Sequence, residues 1–164
     1  MILWYAATAF VTVWAVFKDP AVDYRLIMAG ALLPDVLDIW TGGRWVGHTL
    51  LCSIVALCAV MLATRGRRLL RRRLLAVPIG MFLHLVFDGM WTDRATFWWP
   101  AFGASFEGAL PTVSRGGFGI LLELVGLCLG VWIWQRFRLH EPQRRRQFLR
   151  TGRLGRDLSD RPRW

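Results

Sequence analysis

The residues of this sequence best suited to chemistry are carboxylates and imidazoles inside strongly apolar segments. Burying an ionisable group among apolar side chains costs free energy, so such a group indicates a functional site by default. Each one alone could instead hold neighbouring helices together through a hydrogen bond. There are six such side chains: Asp35, Asp38, His48, His84, Asp88 and Glu123.

Their spacing places some of these side chains on shared helix faces. His84 and Asp88 lie four residues apart in FLHLVFDGMW, which puts both on one face of a helix. Asp35 and Asp38 lie three apart in LLPDVLDIW, and they share a face if the helix continues past Pro34, which lacks a backbone donor. Two imidazoles with several carboxylates can bind a divalent metal, and a bound metal activates water for hydrolysis.

We therefore predict a metal-dependent hydrolytic site. Four side chains are the predicted metal ligands: Asp35, His48, His84 and Asp88. Asp38 or Glu123 would serve as the general base, or would orient a ligating histidine. Imidazole suits zinc and carboxylate suits magnesium or manganese, so we expect a divalent metal, with zinc ahead of manganese and magnesium. Three arginines between the apolar segments could hold a phosphate group of the substrate: Arg44, Arg94 and Arg115.

Five apolar segments must position these residues. The chain has 164 residues, of which 55% are hydrophobic, and it carries a net charge of +10. This hydrophobic fraction excludes a disordered chain, and three Cys in apolar runs do not suit a disulfide-stapled domain. We predict an all-α polytopic membrane helix bundle with about five spans, over residues 2–17, 26–40, 45–64, 74–92 and 117–136.

The positive charge is concentrated in two arginine clusters, residues 65–73 and 136–164. Together they hold 16 basic and three acidic residues, a net +13, so the rest of the chain carries −3. By the positive-inside rule both clusters are cytoplasmic, which puts the N-terminus outside and the polar residues near the outer face. We predict a transmembrane domain over residues 1–136 and a basic cytoplasmic tail over 137–164, in a multi-pass protein of the cell membrane.

Four motifs resemble the membrane-bound metal-dependent hydrolases, a family whose described members include LexA-binding inner-membrane proteins. The motifs are LLPDVLD, GHTLL, HLVFDGMW and FWWP, and the resemblance covers roughly residues 28–103. The family pattern is Leu-Pro-Asp-x-Asp, then His-Arg-Gly-x-Thr-His-Ser, then His-x-x-x-Asp and a later Trp-Pro. Its distant relation to zinc-dependent phospholipases C implies hydrolysis of a phosphoester.

The family pattern falls on the four predicted ligands. The matches are Asp35 for the first acid, His48 for the histidine before serine, His84 with Asp88 for the His-x-x-x-Asp pair, and Trp99-Pro100 for the late Trp-Pro. This chain departs from the pattern at three positions. Asp38 comes one residue later than the second acid, and Thr49 replaces the serine. Gly43 stands where the pattern has its first central histidine, although Arg44 matches the arginine after it.

Three classes of function remain open from the sequence. The first is a metal-dependent hydrolase that acts on a phosphoester or lipid-linked substrate at the extracytoplasmic boundary. The alternative is a non-catalytic membrane scaffold whose basic tail binds anionic lipid or a partner. A transporter is the third, although the five segments show no inverted repeat.

The expected partners are membrane lipids and the substrate. Gly126 and Gly130 form a Gly-x-x-x-Gly pair, which permits close helix contact or a homo-oligomer. No nucleic-acid-binding motif is present, so we do not expect nucleic acid as a partner despite the positive charge.

Overall fold

The structure, a computed structural model, describes residues 1–40, 43–103, 106 and 116–155. Over these residues the chain is all-α, as the sequence predicts, and no strand occurs among them. The α-helices are α1 (Ile2–Phe17), α2 (Tyr24–Asp38), α3 (Leu50–Ala63), α4 (Arg68–Leu74), α5 (Ala76–Phe87), α6 (Arg94–Phe97), α7 (Gly116–Arg136) and α8 (Pro142–Thr151). Short 3-10 turns, Val46–His48 and Met90–Thr92, precede α3 and α6.

Local chemistry sets the helix ends that carry the polar residues. Pro34 lies inside α2 without ending it, so Asp35 and Asp38 belong to one continuous helix. The Thr49 hydroxyl accepts a hydrogen bond from the backbone N–H of Cys52 at 3.1 Å, which caps the start of α3. This cap places His48 directly before a helix N-terminus.

Glycines bring α2 and α5 unusually close together. A Cβ atom on Gly30 would collide with the backbone of Val77, and one on Gly80 would collide with the backbone of Ile27 and Ala31. Each glycine therefore faces the main chain of the opposite helix, where small residues let backbones approach. This contact sets the distance between the polar residues of α2 and those of α5.

A second glycine contact joins α7 to the first helix. A Cβ atom on Gly126 would collide with the backbone of Leu3 and Trp4, whereas Gly130 faces open space. The core of the described helices lies beside this contact and includes Phe10 and Tyr24, both fully buried. Gly126 thus makes a close helix contact within the chain.

Among the described residues one helix, α7, is long and apolar enough to cross a membrane, by length and composition. It has 21 residues, whereas the apolar helices α1 and α3 have 16 and 14. At about 1.5 Å per residue the two shorter helices reach about 21–24 Å, less than the roughly 30 Å of a bilayer core. Large apolar side chains nevertheless face outward along α3 and α7, among them Ile54, Val55, Leu62, Phe118, Ile120, Leu121 and Leu124.

The described part of the predicted tail packs against the other helices. Phe148 of α8 and the buried Leu154 belong to the same hydrophobic cluster as α1 and α2. The backbone N–H of Tyr24 donates to the carbonyl of Gly152 at 3.0 Å, and that of Leu154 donates to Pro20 at 3.0 Å. Up to residue 155, the tail is therefore held against the start of α2.

Replacing Gly80 by alanine should destabilise the protein, because the new methyl group meets the backbone of α2. Alanine gains about 1 kcal/mol of helix propensity over glycine at any helical site. Gly130→Ala, whose methyl group meets open space, is therefore the matched control. Relative to that control we expect Gly80→Ala to lose about 1–3 kcal/mol, the usual cost of overpacking, measured by thermal unfolding in detergent. Equal unfolding midpoints for the two variants would contradict the close approach of α2 and α5.

Candidate metal centre

Three side chains that the sequence predicts as metal ligands meet at one point. Asp35 Oδ1 lies 3.4 Å from His48 Nε2 and 3.6 Å from His84 Nε2, and the two histidine nitrogens lie 3.3 Å apart. We call Asp35, His48 and His84 the ligand triangle. Each corner comes from a different element, namely α2, the turn before α3, and α5. These three residues could hold a metal ion.

The size of the ligand triangle matches tetrahedral zinc coordination. Ligand atoms about 2.0–2.1 Å from a tetrahedral ion lie about 3.3–3.4 Å from one another. The three sides of the triangle, at 3.3, 3.4 and 3.6 Å, are close to that spacing. Three protein ligands would leave the fourth position for water or substrate, which is the usual arrangement of a catalytic zinc site.

The orientation of His48 is set by Asp38. The Nδ1 atom of His48 lies 2.6 Å from Asp38 Oδ2, so the carboxylate accepts its proton and leaves Nε2 free to bind a metal. The same carboxylate accepts hydrogen bonds from the backbone N–H groups of Trp45 at 2.7 Å and Gly47 at 2.9 Å. Asp38 is 1% exposed, and it acts on the site through His48. This contact agrees with the second role that the sequence suggests for Asp38, that of orienting a histidine.

The orientation of His84 is set by the backbone of α2. Its Nδ1 atom lies 2.7 Å from the carbonyl oxygen of Ala31, an arrangement that puts the proton on Nδ1 and directs the Nε2 lone pair toward Asp35. The ring of Tyr5 packs on the imidazole, with ring centroids 4.0 Å apart. His84 is fully buried, as is His48.

One oxygen of the charged corner of the triangle has no hydrogen-bond partner among the described residues. Asp35 Oδ1 is buried and accepts no hydrogen bond from the described residues. Buried polar atoms are nearly always satisfied, so an exception calls for a missing partner such as an ion. The Asp35 side chain is 22% exposed while both histidines are at 0%, so Asp35 is the corner of the triangle nearest to the surface.

Asp88, the fourth predicted ligand, lies outside the ligand triangle. Its Oδ1 atom accepts a hydrogen bond from the Tyr5 hydroxyl at 2.7 Å, and its Oδ2 atom pairs with Arg44 Nη2 at 3.2 Å. Because Tyr5 also packs on His84, Asp88 is connected to the triangle through that ring. The structure therefore places Asp88 as a neighbour of the site, where it holds Tyr5 and Arg44.

The other predicted site residues lie in different surroundings. Glu123 Oε2 accepts a hydrogen bond from the backbone N–H of Leu3 at 2.9 Å, so its carboxylate binds the first turn of α1. Arg44 reaches Asp88, and its buried Nε atom has no hydrogen-bond partner among the residues that the structure describes. Arg94 is exposed at the start of the short helix α6, and Arg115 lies outside the described residues.

Two participants are missing from the sequence prediction. Tyr5 is 1% exposed and contacts both His84 and Asp88. Its position in an apolar segment could have indicated this, because a buried tyrosine hydroxyl usually has a hydrogen-bond partner. The carbonyl of Ala31 orients His84, and no side chain could have indicated it. Reasoning from residue types considers side chains only, so it does not predict a contact made by a backbone group.

We expect the purified protein to bind about one zinc ion, and His84→Ala to abolish that binding because it removes one corner of the triangle. Asp38→Asn should leave the ligands in place but weaken zinc affinity about 10–100-fold, the usual effect of removing the group that orients a ligating histidine. Elemental analysis gives the stoichiometry, and titration against a zinc-responsive dye gives the affinity.

His140→Ala is the matched control for these variants. His140 is exposed, and it follows α7 at a distance in sequence from all three corners of the triangle. Its replacement should leave zinc content and affinity unchanged. Zinc content that is equal in wild type, His84→Ala and His140→Ala would show that the triangle binds no metal.

Comparison with known proteins does not identify a family. The chain matches no family model, no curated protein and no solved structure. The resemblance to membrane-bound metal-dependent hydrolases therefore stays a prediction from the sequence motifs. The geometry of the ligand triangle is the observation from which a function can be inferred.

Proposed function

We propose that this protein is a metal-dependent hydrolase that cleaves a phosphoester in a lipid-linked substrate at the membrane boundary. The observation that carries this proposal is the ligand triangle, with its tetrahedral spacing and its unsatisfied Asp35 oxygen. When bound, a zinc ion supplies an activated water as nucleophile and polarises the phosphoryl oxygen. The chain's own residues would orient the metal ligands, through Asp38 and the Ala31 carbonyl, and would position the substrate.

Arg44 is the residue best placed to receive a phosphate oxygen. Its Nη2 atom is held by Asp88, while its buried Nε atom has no hydrogen-bond partner in the described part of the chain. A guanidinium group that is oriented by one carboxylate still has other N–H groups that can donate hydrogen bonds to an anion. A phosphate group binding beside the triangle would satisfy the Nε donor, so Arg44 remains the leading candidate among the three predicted arginines.

An apolar groove supports a lipid-linked substrate. The groove has a volume of about 380 Å³ and lies between α1, α3 and α5, where Leu50, Leu57 and Leu83 line it. Leu83 directly precedes His84, and Leu50 follows His48 by two residues, so the groove and two corners of the triangle are carried by neighbouring residues of the chain. We assign it to the hydrocarbon chain of the substrate, whose phosphoester would then lie at the triangle.

We also propose that the chain crosses the membrane about five times, with its N-terminus outside and its C-terminus in the cytoplasm. The outward-facing apolar side chains of α3 and α7 support this arrangement, since lipid would cover them. The arginine clusters and the triangle contact opposite ends of α2. Arg73 binds Asp23 at the start of the helix, and Asp35 of the triangle lies near its end. About 12 residues of helix, or roughly 18 Å, separate the two. Shorter helices would be accommodated by local thinning of the bilayer.

Reporter fusions test this orientation. Alkaline phosphatase, which is active only outside the cytoplasm, should be active when inserted after Gly103 and inactive when fused after residue 164. Arginine-rich segments resist translocation, which is the physical reason for the difference. An active fusion at residue 164 would overturn the proposed orientation.

Hydrolysis is tested with the zinc-loaded protein in detergent, against diacyl phospholipids in mixed micelles and a soluble nitrophenyl phosphodiester. We expect His84→Ala to lose activity on both substrates. Leu57→Trp, which fills the groove, should lose about tenfold on the lipid alone, since displacing two CH₂ groups costs about 0.8 kcal/mol each. Release of the phosphorylated headgroup from the phospholipid and nitrophenol absorbance report the two rates.

Leu62→Trp is the control for the groove, because Leu62 lies on the same helix with its side chain 67% exposed. It should hydrolyse both substrates at the wild-type rate. If the zinc-loaded wild type cleaves neither substrate, the enzyme proposal fails, and the non-catalytic scaffold with its basic tail becomes the better interpretation.

A further inference from the structure

The two arginine clusters of the sequence meet at a polar pocket on the side of the fold where α2 begins. The pocket has a volume of about 250 Å³, many times the space that one water molecule needs. Arg72 and Arg73 come from α4, while Arg150 and Arg153 come from the end of α8 and the residues after it. We call this the arginine pocket, and it shares no residue with the ligand triangle.

The positive charge of the arginine pocket is only partly compensated. Arg72 pairs with Asp19 at 2.5 Å, and Arg73 pairs with Asp23 at 2.9 Å. Arg150 and Arg153 form no ion pair with a carboxylate of the described residues. Arg153 lies near enough to Asp19 to help lower the pKa of that carboxyl group, but no described carboxylate holds it or Arg150 in an ion pair, so both can donate hydrogen bonds to an anion in the pocket.

Asp23 stays ionised at the base of the pocket. Burial raises the pKa of its carboxyl group, but hydrogen bonds from Arg25 and Arg73 outweigh burial and hold the pKa below 3.8. The carboxylate thus remains bound to these two arginines at neutral pH. Asp23 orders the floor of the pocket without neutralising Arg150 or Arg153.

The chain holds the two halves of the pocket in a defined position. Arg25 Nη1 donates to the carbonyl of Leu149 at 2.5 Å, and the carbonyl of Gly152 accepts from Tyr24 at 3.0 Å. These bonds fall directly beside Arg150 and Arg153, so the backbone that carries them is anchored to the start of α2. An anion site assembled in advance costs less entropy on binding.

We propose that the arginine pocket binds a phosphate group. Guanidinium groups bind phosphate through paired hydrogen bonds, and four of them from two segments surround one cavity. The phosphate could belong to an anionic phospholipid headgroup or to a soluble phosphate. The pocket requires no metal and is independent of the hydrolase proposal.

The full-length protein is tested with EDTA present, so that no metal at the triangle contributes. One series titrates inorganic phosphate in detergent, and the other compares phosphatidylcholine nanodiscs with and without phosphatidic acid. We expect one or both ligands to raise the unfolding temperature. Arg150→Gln with Arg153→Gln should raise the ligand concentration that gives half of this increase about tenfold or more, because two guanidinium groups that bind phosphate are lost.

Arg67→Gln with Arg146→Gln is the control of equal charge, since both arginines are exposed and lie outside the pocket. It should respond as wild type does. A response to inorganic phosphate identifies a soluble ligand, and a response to phosphatidic acid alone identifies a lipid headgroup. No response to either ligand, or an equal loss in the two double variants, would overturn the proposal.

Discussion

The close approach of α2 and α5 is the constraint on which the rest of the site depends. Gly30 and Gly80 have no side chain to separate the two backbones, so the carbonyl of Ala31 comes within 2.7 Å of His84 Nδ1. That single hydrogen bond fixes both the tautomer and the direction of the imidazole. Asp35, one turn further along α2, then meets His84 Nε2 from the opposite helix.

The charges buried around the triangle are organised by backbone groups as well as by side chains. The Asp38 carboxylate is held by two backbone N–H groups and by His48, and the Asp88 carboxylate is held by Tyr5 and Arg44. Burying a charge is costly unless it is paired and hydrogen-bonded, and both carboxylates meet that condition. Asp35 lies 3.4 and 3.6 Å from the two histidine nitrogens, but its Oδ1 atom accepts no hydrogen bond from the described residues, and that difference makes it the corner at which a cation would be stabilised most.

Most of the long helices could be predicted, because their apolar segments and the polar residues that interrupt them are visible in the sequence. The five apolar segments correspond to α1, α2, α3, α5 and α7, and the ligands Asp35, His48 and His84 stand out because ionisable groups are rare in such runs. Prediction was less successful where several carboxylates were candidates for the same role. Asp88 and Glu123 looked like Asp35 in sequence, but one of them holds Arg44 and the other binds the first turn of α1.

By itself, the sequence determined the helical class, the segregation of arginine into two clusters and the residue types able to bind a metal. These properties follow from the periodicity and composition of short segments, which do not depend on contacts between distant residues. Only the tertiary structure decided which carboxylate joins the two histidines, that Tyr5 bridges His84 and Asp88, and that the two arginine clusters share one pocket. The physical reason is that helix crossings depend on side-chain volume at a few contact points, such as Gly30, Gly80 and Gly126, and those contacts join residues far apart in the chain.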